Sequence, residues 1–464
     1  MSGTPLNKIP EERIFALVER LEVRGPRYTS YPTVPSWKDD RPVESYGSAL
    51  AELASRKRPI AIYVHLPFCR RRCLYCGCNS YVTSDANRMN GYADSLLREI
   101  ERVAEHLPSS VKHYQLHLGG GTPTHYSPEL LQRILERVIA VFPGETRAEH
   151  SIEVDPRITA SEHLRVLQAQ GFQRISVGLQ DLSPAVQRAV QREYSPNQLQ
   201  NFIELSRQYG FTSINIDLIY GLPKQTHDSW KQTLNAIAKL RPDRIACFGY
   251  AHLPERLKHQ AAIRSEDLPS PNERLGMMLD AQRLFADAGY VSIGMDHFAL
   301  PDDDLAMAQR AGRVWRNFMG YTTSHGMELL GLGCSAISEF ESLFVQNAVS
   351  PERYAELLSG GSWAIQRGHQ LNYDDRVRKH IINHLMCNLD IRIPPDVEEL
   401  DNELAESLNA AMDSLRGYVD EGLLIEYDSG YTVTPLGQLF VRNLAMPFDR
   451  YLEQQHGVYF SQTV

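Results

Sequence analysis

The sequence predicts an α/β fold in which helices connect the strands of a parallel sheet, followed by a smaller helix-rich domain. Between residues 61 and 251, short apolar runs alternate with stretches of 3.6-residue periodicity, which gives six strand and helix units. Three of the connections from a helix to the next strand carry a glycine followed by an aromatic residue, at 171–172, 210–211 and 289–290. Such alternation implies right-handed crossovers between parallel strands, in an α/β barrel or an open doubly wound sheet.

Length and composition set the domain plan and exclude some functions. A chain of 464 residues exceeds the size at which one core keeps growing, so we expect an N-terminal arm over 1–56, the α/β domain over 57–326 and a helical domain over 327–464. The net charge of -9 argues against nucleic acid as a partner. Neither an apolar leader nor a long uncharged stretch is present, which predicts a cytoplasmic protein without a membrane segment.

The individual elements can be assigned in chain order. A helix is expected at Glu11–Leu21, and the prolines after it indicate an extended arm that crosses the main domain, or a surface linker. The six strands are expected at Ala61–Leu66, Tyr114–Leu118, Ser151–Val154, Ile175–Leu179, Ile214–Ile219 and Ile245–Tyr250. A further helix is expected at Leu404–Val419, and Ser429-Gly430 indicates a β-hairpin, so the C-terminal domain is predicted to be winged-helix-like.

A dense cysteine loop follows the first strand. Cys69, Cys73 and Cys76 have the spacing C-x3-C-x2-C, which brings three thiolates round one loop and leaves a metal centre one ligand short. Cys78 would have to fold back sharply to be the fourth ligand, so we expect it to have another task on the substrate side. The alternative is a set of reduced core thiols, although three arginines between Cys69 and Cys73 disfavour it.

Polar residues follow the other strands at their carboxyl ends, the edge that carries the chemistry of parallel α/β folds. A glycine-rich loop occupies 119–124, and Glu153, Gln180 and Asp217 end the next three strands. Acidic residues at such positions are often helix caps or ion-pair partners. Their common edge with the cysteine loop favours a shared site instead.

Together these motifs resemble the radical S-adenosylmethionine superfamily, whose hallmark is C-x3-C-x-aromatic-C, with Tyr75 as the aromatic residue. More closely, the chain resembles the oxygen-independent coproporphyrinogen III oxidases, also called coproporphyrinogen III dehydrogenases. The resemblance rests on Cys76-Gly-Cys78, on the arm Arg27-Tyr-Thr-Ser-Tyr-Pro-Thr33, and on the segments 119–124, 152–157, 215–223, 250–254, 294–298 and 321–323. It implies a partial (β/α)6-type barrel.

The resemblance also implies the cofactors and their residues. A [4Fe-4S] cluster is expected on Cys69, Cys73 and Cys76, with S-adenosylmethionine at its fourth iron. The residues implied for this cofactor molecule are Tyr63, Gly120, Glu153 and Ile337. A second S-adenosylmethionine is implied beside the first, and its expected contacts are Tyr75, Gly121, Thr122, Gln180, Arg192, Asp217 and Ala251.

The implied reaction converts two propionate side chains of coproporphyrinogen III to vinyl groups, through a 5'-deoxyadenosyl radical, and gives protoporphyrinogen IX in haem biosynthesis. The expected partners are this substrate and a reduced flavodoxin or ferredoxin, and the expected state is a monomer. A sister protein that handles haem would lack both Cys78 and the arm of residues 27–33. A metal- or haem-sensing regulator would use the winged-helix-like domain to bind a DNA duplex, which the net charge disfavours.

Overall fold

The computed structural model describes residues 4, 6–37, 42–108, 110–395, 397, 401–454 and 460–464. The chain separates into two compact units. We call Lys38–Leu284 with Met327–His369 the sheet unit, and Met1–Trp37 with Phe285–Gly326 and Gln370–Val464 the terminal unit. This division differs from the expected boundaries at residues 56 and 326.

The strands are, in chain order, β1 (Ile60–Leu66), β2 (Phe68–Cys69), β3 (Tyr81–Val82), β4 (His113–Gly120), β5 (Gly144–Val154), β6 (Arg174–Gln180), β7 (Ser213–Tyr220), β8 (Arg244–Gly249), β9 (Val291–Ile293), β10 (His297–Ala299), β11 (Trp315–Asn317), β12 (Gly320–Thr322), β13 (Leu329–Leu332), β14 (Ile337–Glu339), β15 (Leu343–Asn347), β16 (Ile365–Gln370), β17 (Asp390–Ile391), β18 (Leu424–Tyr427) and β19 (Gly430–Val433). The helices are α1 (Glu11–Leu21), α2 (Val43–Arg56), α3 (Ala86–Ala104), α4 (Pro128–Val141), α5 (Ser161–Ala169), α6 (Pro184–Ala189), α7 (Pro196–Gln208), α8 (His227–Leu240), α9 (Pro271–Asp287), α10 (Asp304–Arg310), α11 (Pro351–Ser359), α12 (Tyr373–Asn388), α13 (Asn402–Ser414), α14 (Arg416–Asp420) and α15 (Val441–Ala445).

The six predicted strands form the centre of the sheet unit. They are β1, β4, β5, β6, β7 and β8, each parallel to the strand before it. Apolar residues lie in register across them, as in Leu118 beside Ile152 and Ile152 beside Ile175. Among these six strands the order follows the chain without reversal, whereas a doubly wound sheet reverses at its switch point. The sheet is therefore a partial (β/α)6 barrel, as the resemblance implies, and its carboxyl ends lie along one edge.

Local sequence explains why the connecting helices begin where they do. Before α4, the Ser127 side chain accepts a hydrogen bond from the Leu130 N–H, and Pro128 takes the first helical position. The Thr226 hydroxyl caps α8 through the Ser229 N–H in a capping box. Both helices turn an apolar stripe toward the buried core of the unit. The positions of these connecting helices therefore follow from capping residues and apolar periodicity that the sequence shows.

Strands β13 to β16 are a difference from the sequence prediction, which assigns residues 327–369 to a helical domain. β13 pairs in parallel with β1, and β14, β15 and β16 continue the sheet beyond it. The apolar residues Leu329–Leu332 are all buried there. Because this segment returns to the first strand, it belongs with the sheet and not with the C-terminal helices.

The terminal unit contains the predicted arm and the C-terminal helices. Tyr28 and Tyr31 of the arm are buried, and the Tyr28 hydroxyl donates to Asp449 Oδ2 at 3.1 Å. The arm is therefore part of the core of this unit and not a surface linker. The predicted helix of residues 404–419 is interrupted at the buried Leu415, which separates α13 from α14.

The C-terminal part of this unit is winged-helix-like, as predicted. The hairpin of β18 and β19 turns at Asp428 and Ser429, and β17 adds a third strand beside β19. Helices α12, α13 and α14 complete it. Across the described ranges of the chain, no helix is both long enough and apolar enough to cross a membrane.

Candidate active site

A cavity of about 840 Å³ opens where the parallel strands of the sheet unit end. Its volume lies near the upper end of the range for small-molecule and cofactor sites. All predicted site residues except Tyr63 and Ile337 line it: Cys69, Cys73, Tyr75, Cys76, Cys78, Gly120, Gly121, Thr122, Glu153, Gln180, Arg192, Asp217 and Ala251. The cysteine loop, the glycine loop and the polar strand ends therefore share one cavity.

The three thiols of the hallmark lie in one wall of the cavity. Cys69 Sγ is 3.4 Å from Thr122 Oγ1, and Arg192 Nη1 donates to Cys73 Sγ at 3.5 Å. Burial raises the pKa of Cys69 to about 11. A hydrogen bond from Cys78, opposed by burial, lowers the pKa of Cys76 to about 6. The chain itself thus stabilises one thiolate of the set through the Cys78 thiol.

Cys78 lines the cavity and hydrogen-bonds to Cys76. Its pKa is raised well above the usual value, chiefly because its thiol donates to Cys76. This contact is equally suited to a substrate-side thiol and to a further cluster ligand. Its expected substrate-side role stays a prediction.

Buried polar side chains hold the cysteine loop in place. His65 Nε2 donates to the Asn79 carbonyl at 3.0 Å, and its Nδ1 accepts from the Tyr63 hydroxyl at 3.0 Å. Burial lowers the pKa of His65 to about 4, so the imidazole is neutral at physiological pH. On the other side of the loop, His259 Nε2 lies 2.7 Å from the Cys76 carbonyl and Gln260 Nε2 donates to the Tyr75 carbonyl at 3.1 Å.

The glycine loop packs directly against the start of the cysteine loop. Gly120 has a φ of +113°, and a Cβ there would lie 2.5 Å from the His65 ring. A Cβ on Gly121 would lie 2.7 Å from the Pro67 carbonyl carbon. The Gly121 N–H donates to the Leu66 carbonyl at 2.9 Å. Glycine is needed here because backbone must approach backbone, and the same openness leaves room for a ligand.

Glu153 is positioned by the glycine loop and by a histidine. The Gly120 N–H donates to its Oε2 at 3.2 Å, and His117 Nε2 lies 3.7 Å from its Oε1. Burial acts to raise the pKa of Glu153, but the hydrogen bond and charge of His117 and the Gly120 N–H bring it below the usual value. Glu153 therefore offers an ionised carboxylate to the cavity. Tyr63, which does not line the cavity, stacks on His117 with ring centroids 6.0 Å apart.

Gln180 carries an unusual combination of features. It has a φ of +77°, in the left-handed region that favours glycine. Among the described residues, its Oε1 is one of the few buried side-chain oxygens with no hydrogen-bond partner. A buried acceptor without a donor is costly, so this amide is prepared for a ligand.

Arg192 belongs to a charge cluster that sequence analysis did not foresee. Its Nη1 donates to Asp155 Oδ2 at 3.1 Å, and its Nε donates to the Gly178 carbonyl at 2.9 Å. Arg157 Nε and Nη2 donate hydrogen bonds to the same carboxylate at 2.6 to 3.1 Å. Burial acts to raise the pKa of Asp155, but Arg192 and Arg157 hold it below the usual value. The only sequence signal for this cluster is the segment 152–157, which contains both partners.

A second polar network surrounds Asp217. Asn215 Nδ2 donates to Ser176 Oγ at 2.8 Å and to Asp217 Oδ1 at 2.7 Å, while the Ser176 hydroxyl donates to Asp217 Oδ2 at 3.0 Å. The Asn215 Oδ1 has no partner among the described residues. Asp181, another polar strand end, does not line the cavity, and its carboxylate accepts from the Ser183 N–H and Gln225.

The residues present fit an iron-sulfur cluster with S-adenosylmethionine. Three thiols face one cavity, and no group of three or more His, Cys, Asp or Glu side chains in the described chain is arranged for a single metal ion. Thiolates that bind separate irons of a cluster need no such convergence on one point. The ionised Glu153 and the unpartnered Gln180 Oε1 supply the acceptors that an ammonium group or a ribose hydroxyl requires. Ile337 lies on β14, outside the cavity lining.

Comparison with known proteins decides the family. The family model "Radical SAM superfamily" matches residues 63–237. The oxygen-independent coproporphyrinogen III oxidase of Pseudomonas aeruginosa is 40% identical over 450 residues, which cover 97% of this chain and 98% of the relative. The chain belongs to this family. Its enzymes are oxidoreductases of the radical SAM superfamily, as the sequence motifs predict.

Two further matches agree with this family. The oxygen-independent coproporphyrinogen III oxidase of Escherichia coli K12 is 40% identical over 441 residues, covering 95% of this chain and 96% of the relative. The solved structure of coproporphyrinogen III oxidase from Escherichia coli, described as a radical SAM enzyme, superposes with a TM-score of 0.89 at 39% identity. It covers 94% of this chain and 99% of the solved chain. The similarity therefore extends over both units.

Proposed function

We propose that this member of the oxygen-independent coproporphyrinogen III oxidase family converts two propionate side chains of coproporphyrinogen III to vinyl groups by oxidative decarboxylation, giving protoporphyrinogen IX. The observation that carries the proposal is the single cavity lined by the three hallmark cysteines, the glycine loop and the strand-end carboxylates. Near-full-length similarity to enzymes named for this substrate supports it.

In this proposal, Cys69, Cys73 and Cys76 hold a [4Fe-4S] cluster whose remaining iron site is open to S-adenosylmethionine. When bound and reduced, the cluster with its S-adenosylmethionine supplies a 5'-deoxyadenosyl radical for removal of a hydrogen from the propionate β-carbon. Glu153 accepts from the amino group of the cofactor, because His117 and the Gly120 N–H keep it ionised. Tyr63 and Ile337 are also assigned to this S-adenosylmethionine molecule, although neither of them lines the cavity.

A second S-adenosylmethionine is proposed beside the first. Arg192 is the cation available for its carboxylate, since Asp155 and the Gly178 carbonyl already fix the guanidinium in place. Gln180 offers its unpartnered Oε1, and Asp217 offers a carboxylate held by Asn215. Contacts from Tyr75, Gly121, Thr122 and Ala251 are expected from their places in the cavity lining.

The substrate carboxylates need cationic partners at the cavity. Arg70, Arg71 and Arg256 line it and are exposed, and in the described part of the chain none of their guanidinium groups has an ion-pair partner. Arg72 instead donates to the Ser80 carbonyl. We therefore assign Arg70, Arg71 and Arg256 to the propionate groups. Phe248, Leu253 and Leu257 supply apolar wall to the same cavity, which suits a tetrapyrrole and keeps water away.

The test is an anaerobic assay of the reconstituted, reduced enzyme with S-adenosylmethionine and coproporphyrinogen III. Protoporphyrinogen IX and 5'-deoxyadenosine should form together. Cleavage of S-adenosylmethionine without formation of the vinyl product would refute the assignment of coproporphyrinogen III as the substrate. Two variants test the site: Cys73→Ala should lose the cluster absorbance at about 400 nm, whereas Cys78→Ser should keep it. Loss of the cluster in Cys78→Ser would make Cys78 a ligand.

We also propose that the enzyme works as a cytoplasmic monomer and receives electrons from a reduced protein of flavodoxin or ferredoxin type. Support comes from the family, whose relatives are bacterial enzymes. Sedimentation of the purified chain at micromolar concentration tests the monomer, since a dimer would sediment at twice the mass.

A further inference from the structure

One buried carboxylate of the sheet unit lies outside the cavity and has no part in the site described above. Glu99 is on α3 and is 3% exposed. The Gly333 N–H donates to its Oε2 at 2.7 Å, Asn347 Nδ2 donates to its Oε1 at 2.6 Å, and the Tyr354 hydroxyl donates to its Oε2 at 2.6 Å. In the described part of the chain it has no ion-pair partner. Burying a carboxylate without a cation is costly, so these three hydrogen bonds hold it and fix the position of their partners.

Two of the three donors belong to segments that follow strands of the sheet. Gly333 comes directly after β13, and Asn347 is the last residue of β15. Asn347 Nδ2 also donates to the Gly333 carbonyl at 2.9 Å, so the two segments are joined to each other as well as to Glu99. We call residues 333–335 and 347–349 the anchoring block.

The anchoring block supports the end of the cysteine loop. Asn79 Nδ2 and the Tyr81 hydroxyl donate to the Val349 carbonyl at 3.0 Å and 3.3 Å. These two residues flank Ser80, which lines the cavity and has its Oγ 4.0 Å from Cys76 Sγ. The backbone beside one hallmark cysteine therefore rests on the anchoring block.

A second route joins the anchoring block to the same part of the loop through His65. A Cβ on Gly333 would lie 2.6 Å from the His65 carbonyl oxygen, and the Ser335 hydroxyl lies 3.4 Å from His65 Nε2. The same Nε2 donates to the Asn79 carbonyl at 3.0 Å. A shift of the turn at Gly333 would therefore reach the cysteine loop through side chain and backbone together.

We propose that Glu99 is a positioning residue for the S-adenosylmethionine site, which it holds through the anchoring block and the cysteine loop. The proposal rests on the proposed function, which assigns the cysteine loop to the cluster and its cofactor. The ionised carboxylate accepts all three hydrogen bonds at once. When it is protonated, one oxygen becomes a donor, and of the three partners only the Tyr354 hydroxyl can accept the hydrogen. Because Oε2 also accepts from the Gly333 N–H, protonation weakens this contact and loosens the anchoring block.

The protonation of Glu99 falls in a range where its titratable neighbours stay neutral. Burial raises the pKa of Glu99 to about 7, although its three hydrogen bonds oppose the rise. Tyr46, Cys334 and Tyr354 face it from other elements, and burial raises the pKa of each further above neutral. Because the pKa of Glu99 rises on folding from 4.5, its contribution to stability is complete below about pH 4.5 and is lost as the pH rises through about 7. Acid therefore stabilises the fold at Glu99 while it loosens the site.

Glu99→Gln removes the charge and nearly preserves the shape. At about pH 8 the Kd of the reconstituted enzyme for S-adenosylmethionine should rise about fivefold, because an amide cannot accept from all three donors. The unchanged chain should show about the same rise between about pH 8 and pH 6, whereas Glu99→Gln should keep only the pH dependence of the cofactor's own groups. Tyr354→Phe should move this transition to higher pH, because the carboxylate loses a donor.

Glu328→Gln is the matched control. Glu328 directly precedes β13, at the end of the strand opposite Gly333, and burial raises its pKa as well. The control should leave both the Kd for S-adenosylmethionine and its pH dependence unchanged. An unchanged Kd in Glu99→Gln at about pH 8, or a pH dependence equal to that of the unchanged chain, would overturn the proposal.

Hydrogen exchange in the cluster-free chain separates positioning from stability. At about pH 8, Glu99→Gln should speed exchange about fivefold in the segments 79–82 and 333–335 alone, and its urea midpoint should not fall. Faster exchange throughout the sheet unit with a lower urea midpoint would make Glu99 a structural residue and overturn the proposal.

The failure of the proposed function would look different. If S-adenosylmethionine binds with the expected pH dependence but coproporphyrinogen III is never oxidised, the proposed function fails and the positioning role stands. If S-adenosylmethionine does not bind at all, the proposed function fails, and the exchange experiment decides whether Glu99 positions the cysteine loop.

Discussion

Gln180→Gly should stabilise the chain while weakening its binding of S-adenosylmethionine. In the folded chain Gln180 combines a φ of +77° with a buried Oε1 that has no donor. A left-handed conformation costs a non-glycine residue about 1 to 2 kcal/mol, and a buried acceptor without a partner costs about 1 to 3 kcal/mol. Glycine removes both costs.

Two losses oppose these gains. Glycine gains more freedom in the unfolded chain, which costs about 0.5 to 1 kcal/mol. The two methylenes of the half-buried Gln180 side chain are also lost, at up to about 0.8 kcal/mol each. The net effect expected for the cluster-free chain is a gain of about 1 kcal/mol in the free energy of unfolding, seen as a higher urea midpoint with an unchanged slope. The Kd of the reconstituted enzyme for S-adenosylmethionine should rise about tenfold, because one hydrogen bond is lost.

Arg241→Gly is the control for the backbone contribution. Arg241 has a φ of +50° at the exposed end of α8, far from any predicted cofactor contact. The Arg241→Gly variant should change the free energy of unfolding only slightly and should leave the Kd for S-adenosylmethionine unchanged. A Gln180→Gly chain that unfolds at lower urea and binds S-adenosylmethionine as tightly as the unchanged chain would refute the assignment of Gln180 as a strained, ligand-directed residue.

Three further outcomes test the rest of the site. Gly120→Ala should lower the free energy of unfolding by about 3 kcal/mol in urea titrations, because its Cβ would lie 2.5 Å from the His65 ring. The control is Gly210→Ala, which has a φ of +86° and open space around it, and it should cost only about 1 kcal/mol. The pKa of His65 falls from 6.5 to about 4 on folding, so the unfolded chain binds a proton more readily than the folded chain. The folded chain therefore loses stability as the pH falls below about 6.5, and the loss in the free energy of unfolding reaches about 2 kcal/mol near pH 5. His65→Gln should abolish this contribution to the pH dependence of the urea midpoint. The double variant Arg70→Gln with Arg71→Gln should raise the KM for coproporphyrinogen III about tenfold with kcat within about twofold; a fall in kcat alone would remove these arginines from substrate binding.

The central sheet and the membership of the site were predictable, because both depend on local pattern. Periodicity gives the six parallel strands, and parallel strands bring their carboxyl ends to one edge, so Glu153, Gln180 and Asp217 had to meet near the cysteine loop. The motifs then assign roles to residues that spacing alone leaves open.

The remaining features depend on contacts between distant parts of the chain. β13 reads as part of a helical region until it pairs with β1, which lies more than two hundred residues earlier. The grip of Arg157 and Arg192 on Asp155 depends on how α6 ends after β6, and no local pattern encodes it. The left-handed conformation of Gln180 carries no sequence signal, because a glycine would be the expected residue there.

The most direct test of the proposed reaction uses coproporphyrinogen III labelled with deuterium at the β-carbons of its propionate groups. Incubated anaerobically with the reduced, reconstituted enzyme and S-adenosylmethionine, it should give protoporphyrinogen IX together with 5'-deoxyadenosine that carries deuterium, as measured by mass spectrometry. Each vinyl group should be accompanied by one carbon dioxide. Unlabelled 5'-deoxyadenosine from this substrate, with both propionates intact, would contradict the account.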